Sequence, residues 1–482
     1  MARDDTELRP DICVIGGGAG GLAAAAAAAA MGVPVVLIEK GRMGGLNLTG
    51  GSIPSKALIA AAESAQGVRS ATRFGIKTVR SGIEFALVRA HVSRAVDAVA
   101  LQDSAARMRG LGVRVIEGTA HFRNADTVVA AGISVKARRF IIATGASPVL
   151  PPIPGLAETP YLTAESAFGL IECPRHLIVL GAGRSGLELA QAFRRLGAEV
   201  TVLEPATPLQ REDGECAAVV LDALEREGIK LRTGVRVIQV RRTLGRTQVV
   251  TCGIAPPAAE QEETLEGSHL LVAGGRRPNI DDLDLDLAGI RHGPDGIVVD
   301  RQLRTSNKHV YAVGDVLGGR RFAHIAAYQA GIAVRNIVFR HRVRADQTAI
   351  PGVIYTDPQL AQVGLREEEG RLRAGAICVL RWSYRENDRA TTAGTSDGHI
   401  KVVTDRRGRI LGATIVGPQA SEVATAWALA IGQNLNIAAM ASLATPYPSY
   451  AEVGKRAAIT YFMRGLTAGR VRRIMGWLRR LG

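Results

Sequence analysis

Two glycine triplets have the spacing to hold phosphate: Gly16-x-Gly18-x-x-Gly21 and Gly181-x-Gly183-x-x-Gly186. Each follows a short apolar run and precedes a helix-forming stretch and a second apolar run. Those second runs end in Glu39 and Glu204. In such a unit the first glycine permits a turn, the second admits a pyrophosphate, and the third lets helix pack on strand. The helix N-terminus favours the phosphate charge, and an acid about twenty residues on accepts a ribose hydroxyl. A lone GxGxxG is weak, and a βαβ unit with a glycine-rich turn and no ligand is the bland alternative. The repeat of the whole unit implies two dinucleotides in one chain.

A third stretch, GGLNLTGGSIPSK at residues 44–56, crowds glycines and a proline ahead of Lys56. It reads as a tight loop entering a helix, with Pro54 in the first turn and Lys56 just inside it. It contains neither cysteine nor histidine.

These residues need rigid elements to hold them. The strand Phe140 to Ala143 meets Thr144-Gly145, and a proline-rich linker follows. The run HVYAVGDV delivers Gly314-Asp315 to a strand end, where ligand groups gather in open α/β sheets. Residues 256–267, PPAAEQEETLEG, read as an exposed acidic loop. From about Ile350 strands alternate with short helices, an α+β pattern. The expected domains are 1–150 and 273–345 (first dinucleotide and central), 151–272 (second dinucleotide), 346–463 (α+β) and a tail, 464–482.

The 482 residues exceed one core. At 47% hydrophobic and 4% aromatic they suit an ordered α/β chain. The 5 cysteines are scattered, which speaks against a disulfide framework or a cysteine metal site. The polar, acidic N-terminus is no secretory signal, and no apolar stretch is long enough to span a bilayer, so a cytoplasmic protein is expected. The net charge of +15 is dispersed except at the C-terminus, and no nucleic-acid motif accompanies it.

Together these motifs resemble the class I pyridine nucleotide-disulfide oxidoreductases, the family of dihydrolipoamide dehydrogenase, mercuric reductase and glutathione reductase. The shared features are the two glycine units, Ala143-Thr144-Gly145, Gly275-Arg276-Arg277-Pro278-Asn279, and Ala312-x-Gly314-Asp315 followed by Ala323-His324. The resemblance implies two Rossmann-like domains, for FAD and NAD(P), plus a C-terminal α+β dimerisation domain and a homodimer. It places FAD on Gly16, Gly18, Gly21 and Glu39, with Asp315 on a further hydroxyl and Lys56 beside the flavin, and adds Gly45, Ala120, Thr144, Gly145, Gly275, Ala323 and His324 as cofactor-binding positions. It places the nicotinamide cofactor on Gly181, Gly183, Gly186 and Glu204. A carboxylate at Glu204 accepts a 2′-hydroxyl and repels a 2′-phosphate, favouring NADH, while Arg211 keeps NADPH open. Lys56 and Glu188 are expected to pair beside the flavin.

The chain departs from the family in two places. The family pattern Gly-Gly-Thr-Cys-Leu-Asn-Val-Gly-Cys-Ile-Pro-Ser-Lys aligns without a gap from Gly44 to Lys56. It puts Asn47 and Ser52 at the redox-cysteine positions. Gly50 and Gly51 are expected to leave room in the cleft there. Near the C-terminus, TPYPSYAE puts Tyr447 in place of the catalytic histidine and keeps its carboxylate partner, Glu452. Losses are confined to the thiol side, while Lys56, Glu188 and both fingerprints remain. The expected activity is an FAD-dependent NADH oxidoreductase passing electrons to a quinone, dye, metal ion, dioxygen or redox protein. Alternatives are a transhydrogenase, dihydrolipoamide dehydrogenase-like activity, or a non-enzymatic FAD-binding subunit or scaffold.

In the tail, Val471, Ile474, Met475, Leu478 and Leu481 share one helical face among arginines. A basic amphipathic helix suits an anionic membrane surface, here the inner face. The bland alternative is a terminal helix docked on its own dimer.

Overall fold

The computed structural model describes residues 7–77, 82–254 and 261–466, together with 477, 479 and 480. The chain divides into two compact units. One comprises Met1–Gly181, Ala192–Leu203 and Arg236–Asp346, the other Ala182–Gln191, Glu204–Val235 and Gln347–Gly482.

In the first unit a parallel sheet runs in the order Val310–Ala312, Arg139–Ile142, Ile12–Ile15, Val35–Glu39, Arg114–Glu117. The runs ICVI and VVLI are apolar throughout because helices and strands cover both faces of such a sheet. Ile15 is in register with Ile38 on one side and Ile142 on the other. The chain segments leaving those three strands therefore emerge at one sheet edge. Helices Ala19–Ala30 and Ala323–Val338 approach closely through small residues. A Cβ at Gly20 would sit 3.3 Å from Ala326 Cβ. Beneath the sheet Phe122 meets Phe140 edge-on at 5.5 Å.

A further parallel set in this unit runs Leu162–Thr163, His269–Val272, His176–Leu180, Glu199–Glu204. The expected acidic loop at 256–267 is corrected here. Glu262–Gly267 is a strand paired antiparallel with Arg246–Gly253, while 255–260 lie outside the described residues. Its glutamates misled because charge on an exposed edge strand looks like loop, yet charge also guards such an edge.

The second unit contains the α+β pattern. Its antiparallel sheet runs Gly352–Ile354, Gln359–Gly364, Ile410–Gly417, His399–Asp405, Ile377–Ser383. Trp427, from helix Ala420–Gly432, and Tyr384 are buried in its core, together with Val453, Ala457 and Ala458 of helix Glu452–Leu466. Helix Gly214–Arg226 begins at Asp213, which accepts from Cys216 N at 3.3 Å. The Lys401 side chain, 6% exposed, reaches Asp213 at 2.9 Å, Glu215 at 3.1 Å and Glu367 at 2.9 Å.

No helix among the described residues is long and apolar enough to cross a membrane. The apolar face expected for the tail, Val471, Ile474, Met475, Leu478 and Leu481, lies outside the described residues.

Candidate functional site

The first glycine loop is shaped by close backbone packing. Gly16 has φ +104°, and a Cβ there would lie 2.5 Å from Ala143 O. At Gly21 it would lie 1.8 Å from Gly16 O. No side chain fits at either position. Gly18 caps helix Ala19–Ala30 without a side-chain acceptor, and the first turn holds no acid. The leading amides of that helix therefore suit a phosphate. Glu39 closes the loop from the next strand, accepting from Gly17 N and, at 2.7 Å, from Gly41 N.

The second glycine loop repeats this arrangement. A Cβ at Gly181 (φ +105°) would meet Ala273 O at 2.8 Å, whereas Gly183 faces open space. Gly186 follows in helix Arg184–Arg195. Glu204 accepts from Ala182 N at 2.7 Å and Ala206 N at 3.0 Å. Each of these two carboxylates keeps lone pairs for a ribose hydroxyl.

The remaining expected cofactor-binding residues lie in the first unit. Asn279 knots two motifs: its Nδ2 donates to Thr144 O at 2.9 Å and its N to Gly145 O at 3.0 Å. Thr144 Oγ1 donates back to Asn279 O at 2.8 Å. Gly275 takes φ +111°, as the turn before this motif requires. Asp315 lies in the short helix Gly314–Leu317, and Gly314 N donates to Gln329 Oε1 at 2.7 Å. Ala323 and His324 open the following helix, with the His324 ring tilted against Phe322 at 5.0 Å. Ala120 packs its side chain in the apolar core and has only backbone groups to offer a cofactor.

The stretch 44–56 is more helical than a loop. Gly45–Thr49 forms one short helix and Ser52–Ser70 the next, broken at Gly50-Gly51. Burial of Leu48 anchors the first turn. Gly44 N donates to Gly17 O at 2.9 Å, and a Cβ on Gly45 would lie 2.8 Å from Gly18 Cα. This stretch thus lies against the phosphate loop. Asn47 is half-buried and Ser52 exposed. The room expected at Gly50 and Gly51 is already filled. A Cβ on Gly50 would come 2.6 Å from Glu165 Cα, and one on Gly51 2.8 Å from Leu46 O. Close packing draws a neighbour into the space two glycines vacate. Glu165 is tethered there by Arg276 Nη2 at 2.9 Å.

Lys56 sits in the second turn of its helix, half-buried. In the other unit Glu188, 7% exposed, accepts from Tyr355 N at 2.9 Å. One turn on, Gln191 accepts from Asp357 N at 2.8 Å and donates to Asp357 O at 2.9 Å. Burial, then the Glu188 charge, raises the Tyr355 phenol above its usual range. Gln191 and Tyr355 were not singled out from sequence, although Gln191 shares a helix face with Glu188 at i+3.

Tyr447 is exposed, and its hydroxyl donates to Asp388 Oδ2 at 2.8 Å. That bond is the first cause of a raised phenol pKa. Glu452, the expected partner, opens helix Glu452–Leu466 and acts on Tyr447 through charge. The structure thus gives Tyr447 a different carboxylate from the one the sequence pattern suggested.

Two glycine cradles, each closed by a strand-end glutamate, and a C-terminal antiparallel domain define a two-dinucleotide oxidoreductase. Comparison with known proteins agrees. The family model of pyridine nucleotide-disulphide oxidoreductases matches residues 10–330, and that of their dimerisation domain matches 350–458. Mercuric reductase of Streptomyces lividans is 34% identical over 460 residues, covering 94% of this chain and 96% of the relative. Dihydrolipoyl dehydrogenase of Geobacillus stearothermophilus is 32% identical over 465 residues, covering 95% and 97%. Among solved structures, LpdA from Mycobacterium tuberculosis superposes with a TM-score of 0.84 at 28% identity, covering 96% of this chain and 100% of that one. The Cu(II) complex of the HOCl-induced flavoprotein disulfide reductase RclA from Escherichia coli gives 0.83 at 26%, covering 94% and 99%. The chain belongs to the pyridine nucleotide-disulphide oxidoreductases, a family that works with FAD and NAD(P)H.

Proposed function

We propose that this protein takes hydride from NADH onto FAD and passes the electrons to an acceptor other than a thiol or disulfide, such as a quinone. The observation that carries this is the stretch 44–56, where Asn47 and Ser52 stand at the redox-cysteine positions of the family pattern. An amide and a hydroxyl form no thiolate and attack no disulfide. The cysteines elsewhere support the reading. All five are free. Burial pushes the Cys13, Cys173 and Cys216 thiols up, away from the reactive thiolate.

Bound flavin and nicotinamide supply the hydride chemistry, and the chain's residues bind and tune them. The cradle at Gly16, Gly18 and Gly21 with Glu39 would hold the FAD pyrophosphate and ribose, with Asp315 on a further hydroxyl. Glu204 would accept the 2′-hydroxyl of NADH and repel the extra phosphate of NADPH. That preference disfavours a transhydrogenase, which must serve both. Lys56 and Glu188 would pair beside the flavin, the latter held by the Tyr355 amide. Tyr447 would complete the flavin site of a second copy, as expected of a homodimer. A cytoplasmic setting with tail contact at the inner membrane face would bring a membrane quinone within reach.

The test is an anaerobic titration of the purified holoprotein with NADH. The flavin should bleach fully at about one NADH per flavin, without a long-wavelength charge-transfer band. A second equivalent consumed, or stoichiometric turnover of dihydrolipoamide, would overturn the proposal.

A further inference from the structure

The chain around Tyr447 is held by one neighbouring segment, 387–395. Asn387 Nδ2 donates to Ser449 O at 3.0 Å. The Arg389 guanidinium lies over the Tyr450 ring at 5.6 Å. Thr395 Oγ1 and Tyr450 Oη are hydrogen-bonded at 3.2 Å. Between these contacts Tyr447 Oη donates to Asp388 Oδ2 at 2.8 Å. Asp388 is itself fixed, because it opens helix Asp388–Ala393, whose cap Asn387 accepts from Ala390 N at 2.9 Å.

Tyr447 is nonetheless 70% exposed. An exposed tyrosine ordinarily keeps its rotamer freedom. Here the backbone is clamped on one side and the hydroxyl tied on the other. A solvent-facing aromatic fixed in this way is prepared to meet something.

Resting on the acceptor reading above, we propose that Asp388 is the positioning residue for Tyr447. Its carboxylate takes the hydroxyl proton in a charge-assisted hydrogen bond and sets the ring orientation. The oxygen lone pairs are then left to accept from the O–H of the reduced product as it forms. The phenol thus offers an acceptor, suited to the O–H of a hydroquinone, and not the titrating base that a histidine would supply.

The experiment uses the holoprotein with menadione as probe, and the variants Asp388→Asn, Tyr447→Phe and both together. Reoxidation of NADH-reduced flavin should slow about tenfold to a hundredfold in D388N, as expected of a misplaced group. Y447F should lose a similar amount and the double variant no more, since both changes break one unit. The tyrosine ionisation that disappears in Y447F should move to lower pH in D388N. A wild-type reoxidation rate in D388N, losses that multiply in the double variant, or an unmoved ionisation would overturn the assignment. Failure of wild-type flavin to accept hydride from NADH would instead sink the parent reading. The ionisation measurement needs no turnover and still decides the role of Asp388.

Discussion

A phenol and an imidazole differ most in where they titrate, and that difference gives Tyr447 a measurable signature. The Asp388 hydrogen bond, then its charge, holds the phenol above its ordinary 10.0. A carboxylate that accepts the hydroxyl proton favours the protonated form, so the group stays neutral throughout the physiological range. Acceptor reduction should therefore show no limb from this residue below about pH 9, whereas Tyr447→His should introduce one near 6.5. Stopped-flow reoxidation across pH checks this, and a neutral-range limb already present in the wild type would count against it. The tyrosine itself was legible from the motif alignment. Its partner was not, because Asp388 lies 59 residues away and no local pattern links the two. The same holds for Glu165 at Gly50, brought together by packing alone.

Among the elements, strand–glycine–helix units could be read directly because their signals are local: apolar runs, turn glycines and a terminal acid. Boundaries set by pairing or burial were less legible. The helix Gly45–Thr49 hides in a glycine-rich stretch, and the strand Glu262–Gly267 hides behind its charges. The link between helix Gly214–Arg226 and the antiparallel sheet was also invisible. Lys401 makes it by gathering three carboxylates. Burial opposes its charge, yet hydrogen bonds to Glu367, Asp213 and Glu215 outweigh that and raise its pKa. Lys401→Met strands Asp213, 6% exposed, without its ammonium. The loss should be about 3 kcal/mol, read from chemical denaturation, because a buried charge is left unpaired. The same cluster sets an acid limit. Glu215 titrates at about 2 instead of 4.5, held down first by Arg381 and then by Lys401 against its burial. Its folded-state value is the lower one, so its stabilisation is complete above 4.5 and fades as pH falls towards 2. An acid midpoint indifferent to Glu215→Gln would refute this.

For the whole molecule, the tail sequence makes a separate prediction. Removing residues 466–482 should abolish flotation with anionic liposomes and leave NADH oxidation by a soluble quinone intact; equal flotation of both forms would exclude a membrane role for the tail. The strand-end glutamates have a wider consequence. Glu39 and Glu204 each brace a glycine loop with the protein's own bonds, accepting from its backbone amides. A receptor already set in its bound shape spends little affinity on ordering itself. Stripped of flavin, the chain should keep its secondary structure and regain colour on mixing with FAD without a slow refolding phase, an empty mould that does not collapse.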